Sequence, residues 1–189
     1  MEPVDQIVYE TGRLPAPGRL RLVEDFCNTV DPEHGREVLH SSEALQRLLL
    51  ELDLITPGTS VSGRDLAAAL DVRTALRALA RANNGVPAPR DAEEAVERAA
   101  AQGSLGVRFR AGRVELAGTA PGVPGALATL AGVFAAAVVD GTWMRLKACR
   151  SERCGWLFYD RSRNHSARWC DMAVCGNRTK TRAYRARRA

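Results

Sequence analysis

The 189-residue sequence has few aromatic residues, few methionines and no apolar stretch long enough to cross a bilayer. Aromatic residues make up 5% of the chain, and there are three methionines. The most apolar stretch, residues 126–139, contains Thr129 and Gly132 and is closed by Asp140, whereas a membrane-spanning helix needs about 20 apolar residues. The first twenty residues also lack the basic and apolar segments of a secretory signal. These absences predict a cytoplasmic protein without membrane contact, in which residues 126–139 form a buried core helix.

Positive charge is scarce in most of the chain and concentrated near its end. The formal net charge is +5. Residues 141–189 hold 13 Lys/Arg and 3 Asp/Glu, a net charge of +10, which leaves 14 basic and 19 acidic side chains, or −5, in residues 1–140. Two regions of opposite charge indicate two tasks, and a dense cationic segment is typical of nucleic-acid binding. We therefore divide the chain into two domains, residues 1–147 and residues 148–189, with the boundary where the last helix of the first domain is predicted to end.

Hydrophobic periodicity predicts an α+β fold, with a mostly helical N-terminal domain that contains one β-hairpin. Residues 20–30 fit either a short strand or the first turn of a helix. Residues 107–110 and 114–116 alternate apolar and polar side chains, as a hairpin does. The predicted helices are one capped by Ser41-Ser42 and stopped by Pro57, one over 63–84, one over 91–101 with Asp91 as N-cap, and an alanine-rich helix of about twenty residues ending near Lys147.

Four of the five cysteines fall within 27 residues, in two pairs with equal spacing. The spacing is C-x4-C-x15-C-x4-C, and a glycine follows the second cysteine of each pair. Four thiolates suit a tetrahedral structural zinc site, which leaves no open position for a substrate. Inside a cell, clustered thiols are ligands more often than disulfides. We expect one structural Zn²⁺ per chain, with these ligands: Cys149, Cys154, Cys170 and Cys175.

Alternatives to this zinc site remain at the level of sequence. The four thiols could be incidental or redox-active, and His165 is a further candidate ligand, although its polar neighbours favour an exposed loop. Cys27 lies far from the other cysteines and is expected to be a small core residue.

The stretch between the cysteine pairs is β-favouring over residues 156–159 and then polar. This pattern predicts a hairpin between two zinc knuckles, giving a treble-clef-like finger. Four aromatic residues are expected to form the finger's small core: Trp156, Phe158, Trp169 and Tyr184.

A basic helix is predicted after the last cysteine, with Asn177 as its N-cap. Arg178 and Lys180 fall in its first turn, where the helix dipole disfavours cations and where a bound anion would remove the conflict. A solvated cationic tail is the alternative. The candidate nucleic-acid-binding residues are Arg178, Lys180, Arg182, Arg185 and Arg187.

The cysteine region combines several specific motifs. They are Cys149-x4-Cys154-Gly155-Trp156-Leu157-Phe158, Arg163-Asn164, Arg168-Trp169-Cys170-x-Met172 and Cys175-Gly176-Asn177-Arg178-x-Lys180-x-Arg182. Together they resemble the CGNR zinc-finger proteins of bacteria. A second segment, Asp25-Phe26-Cys27-Asn28-Thr29, resembles the D-F-x-N-T motif of the ABATE domain that precedes this finger, although Glu24 stands where an apolar residue is expected.

The resemblance implies a transcriptional regulator with a zinc-binding, DNA-binding C-terminal module. It implies the same four cysteine ligands, basic positions at Arg178, Lys180 and Arg182, and an N-terminal domain that senses a small-molecule effector or stress. We expect double-stranded DNA as the partner, and a homodimer because one short finger offers limited specificity.

Two other functions compete with this reading. The first is an RNA-binding or protein-interaction adaptor that uses the same finger. The second is an enzyme in the N-terminal domain, but no catalytic spacing links the polar residues concerned, so we expect none. Those residues are Asp25, Asn28, His34 and His40.

Overall fold

A computed structural model describes residues 13–151, 153–186 and 188, and about half of it is helical. The α+β class predicted from the sequence is confirmed. In chain order the elements are α1 (Leu20–Cys27), β1 (Val30–Asp31), β2 (Arg36–Glu37), α2 (Ser42–Glu51), α3 (Gly63–Ala82), α4 (Arg90–Gln102), β3 (Leu105–Arg110), β4 (Arg113–Gly118), α5 (Gly122–Val139), β5 (Leu146–Ala148), β6 (Leu157–Tyr159) and α6 (Asn177–Ala186). The six strands form three antiparallel two-stranded sheets, β1–β2, β3–β4 and β5–β6.

Helix α5 is the centre of the core. Helices α1 and α4 and the β3–β4 hairpin pack against it. Gly132 permits the close approach of the hairpin, because a Cβ at this position would lie 2.8 Å from Leu116 Cβ. By length and composition α5 is the one helix among the described residues that could cross a membrane, but 61% of it is buried inside the protein. The structure therefore agrees with the predicted core helix.

Several predicted boundaries are wrong. Helix α5 ends at Val139, well before Lys147, because the chain turns at Gly141, which has a φ of +78°. Residues up to Lys147 then form a short 3-10 turn and strand β5. Helix α4 begins one residue before Asp91, with Pro89 at its N-cap, since Asp91 already has a place in the first turn. Residues 20–30, which by sequence fit either a strand or the first turn of a helix, begin with helix α1.

The C-terminal region shares a core with the N-terminal helices. Leu146, Leu157 and Tyr159 are buried in the same apolar cluster as the side chains of α1, α3 and α5. Asn28, at the end of α1, makes a pair of buried hydrogen bonds with β6. Its Nδ2 donates to the Leu157 carbonyl at 3.0 Å, and its Oδ1 accepts from the Leu157 N–H at 2.8 Å. The division after residue 147 stays a prediction, and the packing is continuous across it.

Glu24 is buried in α1, with a relative exposure of 5%. Its carboxylate accepts a hydrogen bond from the Ala16 N–H at 2.6 Å, and this bond ties the preceding segment to the helix. Burial raises the pKa of Glu24 to about 7, against the lowering effect of the Ala16 hydrogen bond. An ionisable group thus occupies the position where the resemblance calls for an apolar side chain.

The raised pKa of Glu24 predicts a loss of stability with increasing pH. The unfolded chain releases this proton near pH 4.5 and the folded chain near pH 7, so the free energy of unfolding falls between these values. The loss is about 3 kcal/mol above pH 7. Glu24→Gln removes it, so the stability difference between variant and wild type should grow in favour of the variant from pH 4.5 to pH 8.

Chemical denaturation at both pH values measures this difference. The exposed Glu97 lies in α4, and Glu97→Gln is the matched control, expected to show the same difference from wild type at both pH values. If the free energy of unfolding of Glu24→Gln differed from that of wild type by the same amount at both pH values, the prediction would be contradicted.

Candidate metal centre and basic helix

The structure brings the four predicted cysteines of the C-terminal region together. Their sulfur atoms all lie within 4.8 Å of one another. Cys170 Sγ is 3.6 Å from Cys154 Sγ and 3.7 Å from Cys175 Sγ. A tetrahedral zinc ion with Zn–S bonds of about 2.3 Å requires sulfur separations of about 3.8 Å. The cluster therefore has the dimensions of a four-thiolate zinc site.

The chemistry of the donor set also fits a dication. All four cysteines are free of disulfides and buried. Hydrogen bonds from the Cys154 and Cys170 thiols lower the pKa of Cys149, and the same contact with Cys149 raises the pKa of Cys154. Four thiols this close cannot all ionise unless a cation neutralises them. When bound, zinc would supply a structural clamp that uses all four ligands.

The first cysteine pair lies in the loop of the β5–β6 hairpin. Cys149 follows β5, and its N–H donates to the Trp156 carbonyl at 2.8 Å. Gly155 has a φ of +60°, which an L side chain rarely adopts. The predicted hairpin between the two cysteine pairs is wrong: the partner of β6 is β5, which precedes the first cysteine, because Leu146 and Leu157 share the main core.

A buried ion pair organises the loop between the two cysteine pairs. Lys147 Nζ is 2.8 Å from Asp160 Oδ2 and also donates to the His165 carbonyl at 2.5 Å. Asp160 accepts the N–H groups of Ser162 at 2.9 Å and Ala167 at 3.0 Å. Asp160 is fully buried. These bonds fix the conformation of the loop over residues 160–167, which leads to Cys170.

The second cysteine pair leads directly into helix α6. A single π-helical turn, Met172–Gly176, carries Cys175, and Asp171 caps this turn by accepting the Val174 N–H at 2.9 Å. The predicted N-cap at Asn177 is wrong, because Asn177 already has helical dihedral angles. Thr179 Oγ1 donates to the Cys175 carbonyl at 2.8 Å, which fixes the first turn of α6 to the cysteine cluster.

Four of the five candidate nucleic-acid-binding residues lie on α6 and are exposed, namely Arg178, Lys180, Arg182 and Arg185. The fifth, Arg187, lies outside the described residues. Arg178 is ion-paired with Glu33, which is in the turn between β1 and β2. Within the described part of the chain, Lys180, Arg182 and Arg185 have no acidic partner. A carboxylate thus occupies the anion position predicted at the start of this helix.

The small core of the finger is aromatic, as predicted, with one exception. Trp156 and Phe158 are buried with the cysteines, and Trp169 is partly buried against them. Tyr184 is 50% exposed, so the prediction that it belongs to this core is wrong. Its ring lies on α6 under the guanidinium of Arg188, with 4.8 Å between Arg188 Cζ and the ring centroid.

The polar residues considered for an enzyme are engaged in separate contacts. Asn28 is bound to β6, and Asp25 accepts from Arg21 Nε at 3.1 Å. His34 Nδ1 is 2.6 Å from Asp31 Oδ2, while His40 is exposed. The absence of enzymatic activity stays a prediction.

The two remaining alternatives also have defined positions. His165 lies in an exposed loop with a φ of +49°. Cys27 is buried in the main core, and burial raises the pKa of its thiol to about 12.

Two family models match the chain. The model of the ABATE family, described as "putative stress-induced transcription regulator", matches residues 20–141. The model of the CGNR zinc finger matches residues 145–188 and so includes the cysteine cluster and helix α6. A search of curated proteins found no match. The chain therefore belongs to the ABATE family and carries a CGNR zinc finger after its ABATE domain.

Proposed function

We propose that the protein is a zinc-dependent, DNA-binding transcriptional regulator, in which the finger binds DNA and the ABATE domain senses a ligand or mediates dimerisation. The observation that carries the proposal is a set of exposed cations on α6, directly attached to the four-cysteine cluster, of which Lys180, Arg182 and Arg185 have no acidic partner among the described residues. Multiple cations on one element suit a polyanionic backbone, because their contacts release condensed counterions. Zinc has a structural role in this proposal, since it holds α6 in place.

Readout of a base sequence would come from the same helix. Arginine side chains reach base edges most often through two hydrogen bonds to guanine. Arg182 and Arg185 are exposed and lack acidic partners in the described ranges, so they are the side chains we assign to phosphates or bases. Arg178 is already ion-paired with Glu33, so it can contact DNA only if it leaves this ion pair or shares its guanidinium between Glu33 and a phosphate.

An apolar cleft in the ABATE domain is a candidate for the sensing role. An open cleft of about 680 Å³ lies between residues 17–20, β4 and the C-terminal half of α5, and it is lined mainly by apolar side chains, among them Val114, Leu116 and Val133. Ligand pockets commonly have volumes of about 300–1,000 Å³. The effector, the homodimer and the cytoplasmic location stay predictions.

Binding to duplex DNA tests the proposal. If about six phosphates are neutralised, log K should fall with log salt with a slope near −5. Arg182→Glu should weaken binding about tenfold or more and flatten this slope by at least about one unit, with the fold intact. Fluorescence anisotropy of a labelled duplex, titrated at several salt concentrations, measures both quantities.

Arg64→Glu is the matched control, because Arg64 is exposed in the first turn of α3 and the net charge changes equally. A flat salt dependence of the wild type would contradict the proposal. Stronger binding to structured RNA than to a duplex would favour the adaptor function instead.

A further inference from the structure

The proposed metal centre carries more negative charge than its dication removes. Four thiolates and one Zn²⁺ leave two excess negative charges. The cysteines that hold them have relative exposures of 0% to 7%, and buried charge is costly unless it is paired. The chain therefore needs compensating positive charge close to the cluster.

The basic residues of the finger next to the cysteines are either exposed or already paired, as the buried Lys147 is with Asp160. Arg150, Arg153 and Arg168 are close to the cysteines in sequence, but all three are exposed. Backbone N–H groups supply part of the compensation, since those of Ser151 and Cys170 bond to Cys149 Sγ. These groups are dipoles and carry no net charge.

Two arginines from outside the finger each reach one cysteine pair. Arg77 of α3 lies against the first pair: a Cβ on Gly155 would be 3.0 Å from Arg77 Nη2. Arg77 Nη1 donates to the Cys27 carbonyl at 2.7 Å, which fixes the position of the guanidinium. Burial lowers the pKa of Arg77, and the nearby Cys27 and Cys154 side chains oppose this lowering.

Arg13 lies against the second pair. Its Nε donates to the Cys170 carbonyl at 2.5 Å and its Nη2 to the Trp169 carbonyl at 3.0 Å. Its guanidinium also covers the ring of Phe158, with 4.8 Å between Arg13 Cζ and the ring centroid. Both arginines thus touch residues that are ligands or direct neighbours of ligands.

We propose that Arg13 and Arg77 are the outer charge partners of the zinc tetrathiolate, one for each cysteine pair. The inference rests on the proposed zinc site. It makes zinc affinity a property of the whole chain, because both cations come from outside the finger. Outer partners of this kind typically change metal affinity about 10–100-fold when removed.

Competition with a zinc chelator tests the proposal on the full chain. Arg77→Gln and Arg13→Gln should each raise the zinc dissociation constant about tenfold, and the double variant should raise it further. Arg77→Lys and Arg13→Lys keep the charge and should each lose less zinc affinity than the matching glutamine variant, although lysine cannot repeat the paired hydrogen bonds and ring contact of Arg13. Zinc release on thiol alkylation should be several-fold faster in the glutamine variants, because a zinc-bound thiolate that loses its neighbouring cation becomes more basic and so a better nucleophile.

Arg81→Gln is the matched control, since Arg81 is exposed one turn further along α3. Its zinc affinity should equal that of wild type. Glutamine and lysine variants that lose zinc affinity equally would overturn the charge role, as would glutamine variants with unchanged affinity. Circular dichroism of each variant verifies folding, and the lysine series keeps the comparison valid if one glutamine variant unfolds. A wild-type chain that binds no zinc would instead overturn the proposed function, and this inference with it.

Discussion

Cys170→Ser is expected to abolish stoichiometric zinc binding and to lower the thermal midpoint of the whole chain. Cys170 Sγ lies 3.6 Å and 3.7 Å from two other sulfur atoms of the cluster, so its loss removes a ligand and leaves the site incomplete. Zinc binding contributes roughly 10–16 kcal/mol of apparent free energy in small fingers. Because Leu157 and Tyr159 belong to the main core, the loss of order in the finger should also destabilise the helices packed on it.

Elemental analysis and differential scanning calorimetry measure the two effects. Cys27→Ala is the control: Cys27 is buried in the main core, away from the other four thiols, and its variant should keep one zinc per chain. A Cys170→Ser chain that retains its zinc and its midpoint would show that the cluster is not the metal site.

Lys147→Met is expected to destabilise the chain by about 3–5 kcal/mol, because it leaves a buried carboxylate without its cation. Lys147 is 4% exposed and Asp160 is fully buried. Asp160 cannot escape to water, since it also accepts the N–H groups of Ser162 and Ala167. Denaturant titration of the zinc-loaded protein measures the loss.

A second substitution identifies the cause. Asp160→Asn in the Lys147→Met background removes the buried charge but keeps an amide oxygen for the loop, so it should recover part of the lost stability. Lys180→Met, at an exposed position of α6, should change the free energy of unfolding by less than about 0.5 kcal/mol. A loss below about 1 kcal/mol in Lys147→Met, or no recovery in the double variant, would contradict this account.

The cysteine cluster and the helical N-terminal domain were predictable because their signals are local or repeat at a fixed spacing. Two equal C-x4-C pairs pointed to one four-thiolate site, and apolar periodicity located the helices. Ser41 was expected as a helix cap and does accept the Ala44 N–H at 3.2 Å. These features depend on residues a few positions apart, or on ligand chemistry that admits few arrangements.

The features that connect the finger to the helices were not predictable, because their partners are far apart in sequence. Asn28 and Leu157 are 129 positions apart, and Arg13 and Cys170 are 157 apart. The β-favouring run after Gly155 predicted a strand, but its partner is chosen by burial in the shared core. The only available signal for Asn28 was its place in the D-F-C-N-T segment, which indicated a family and gave no contact.

The hydrogen-bond pair between Asn28 and β6 has a consequence for genetics. An allele that changes Asn28 would deprive the Leu157 peptide group of both buried partners, at a cost of about 1–3 kcal/mol for each unsatisfied group. Under the proposed function, such an allele would be scored in a repression or activation screen as a defect in operator recognition, although Asn28 is buried and its contacts are with β6. Under the same proposal, phenotypes that map to residues 25–29 report on how the finger is fixed to the helices as well as on what the first domain senses.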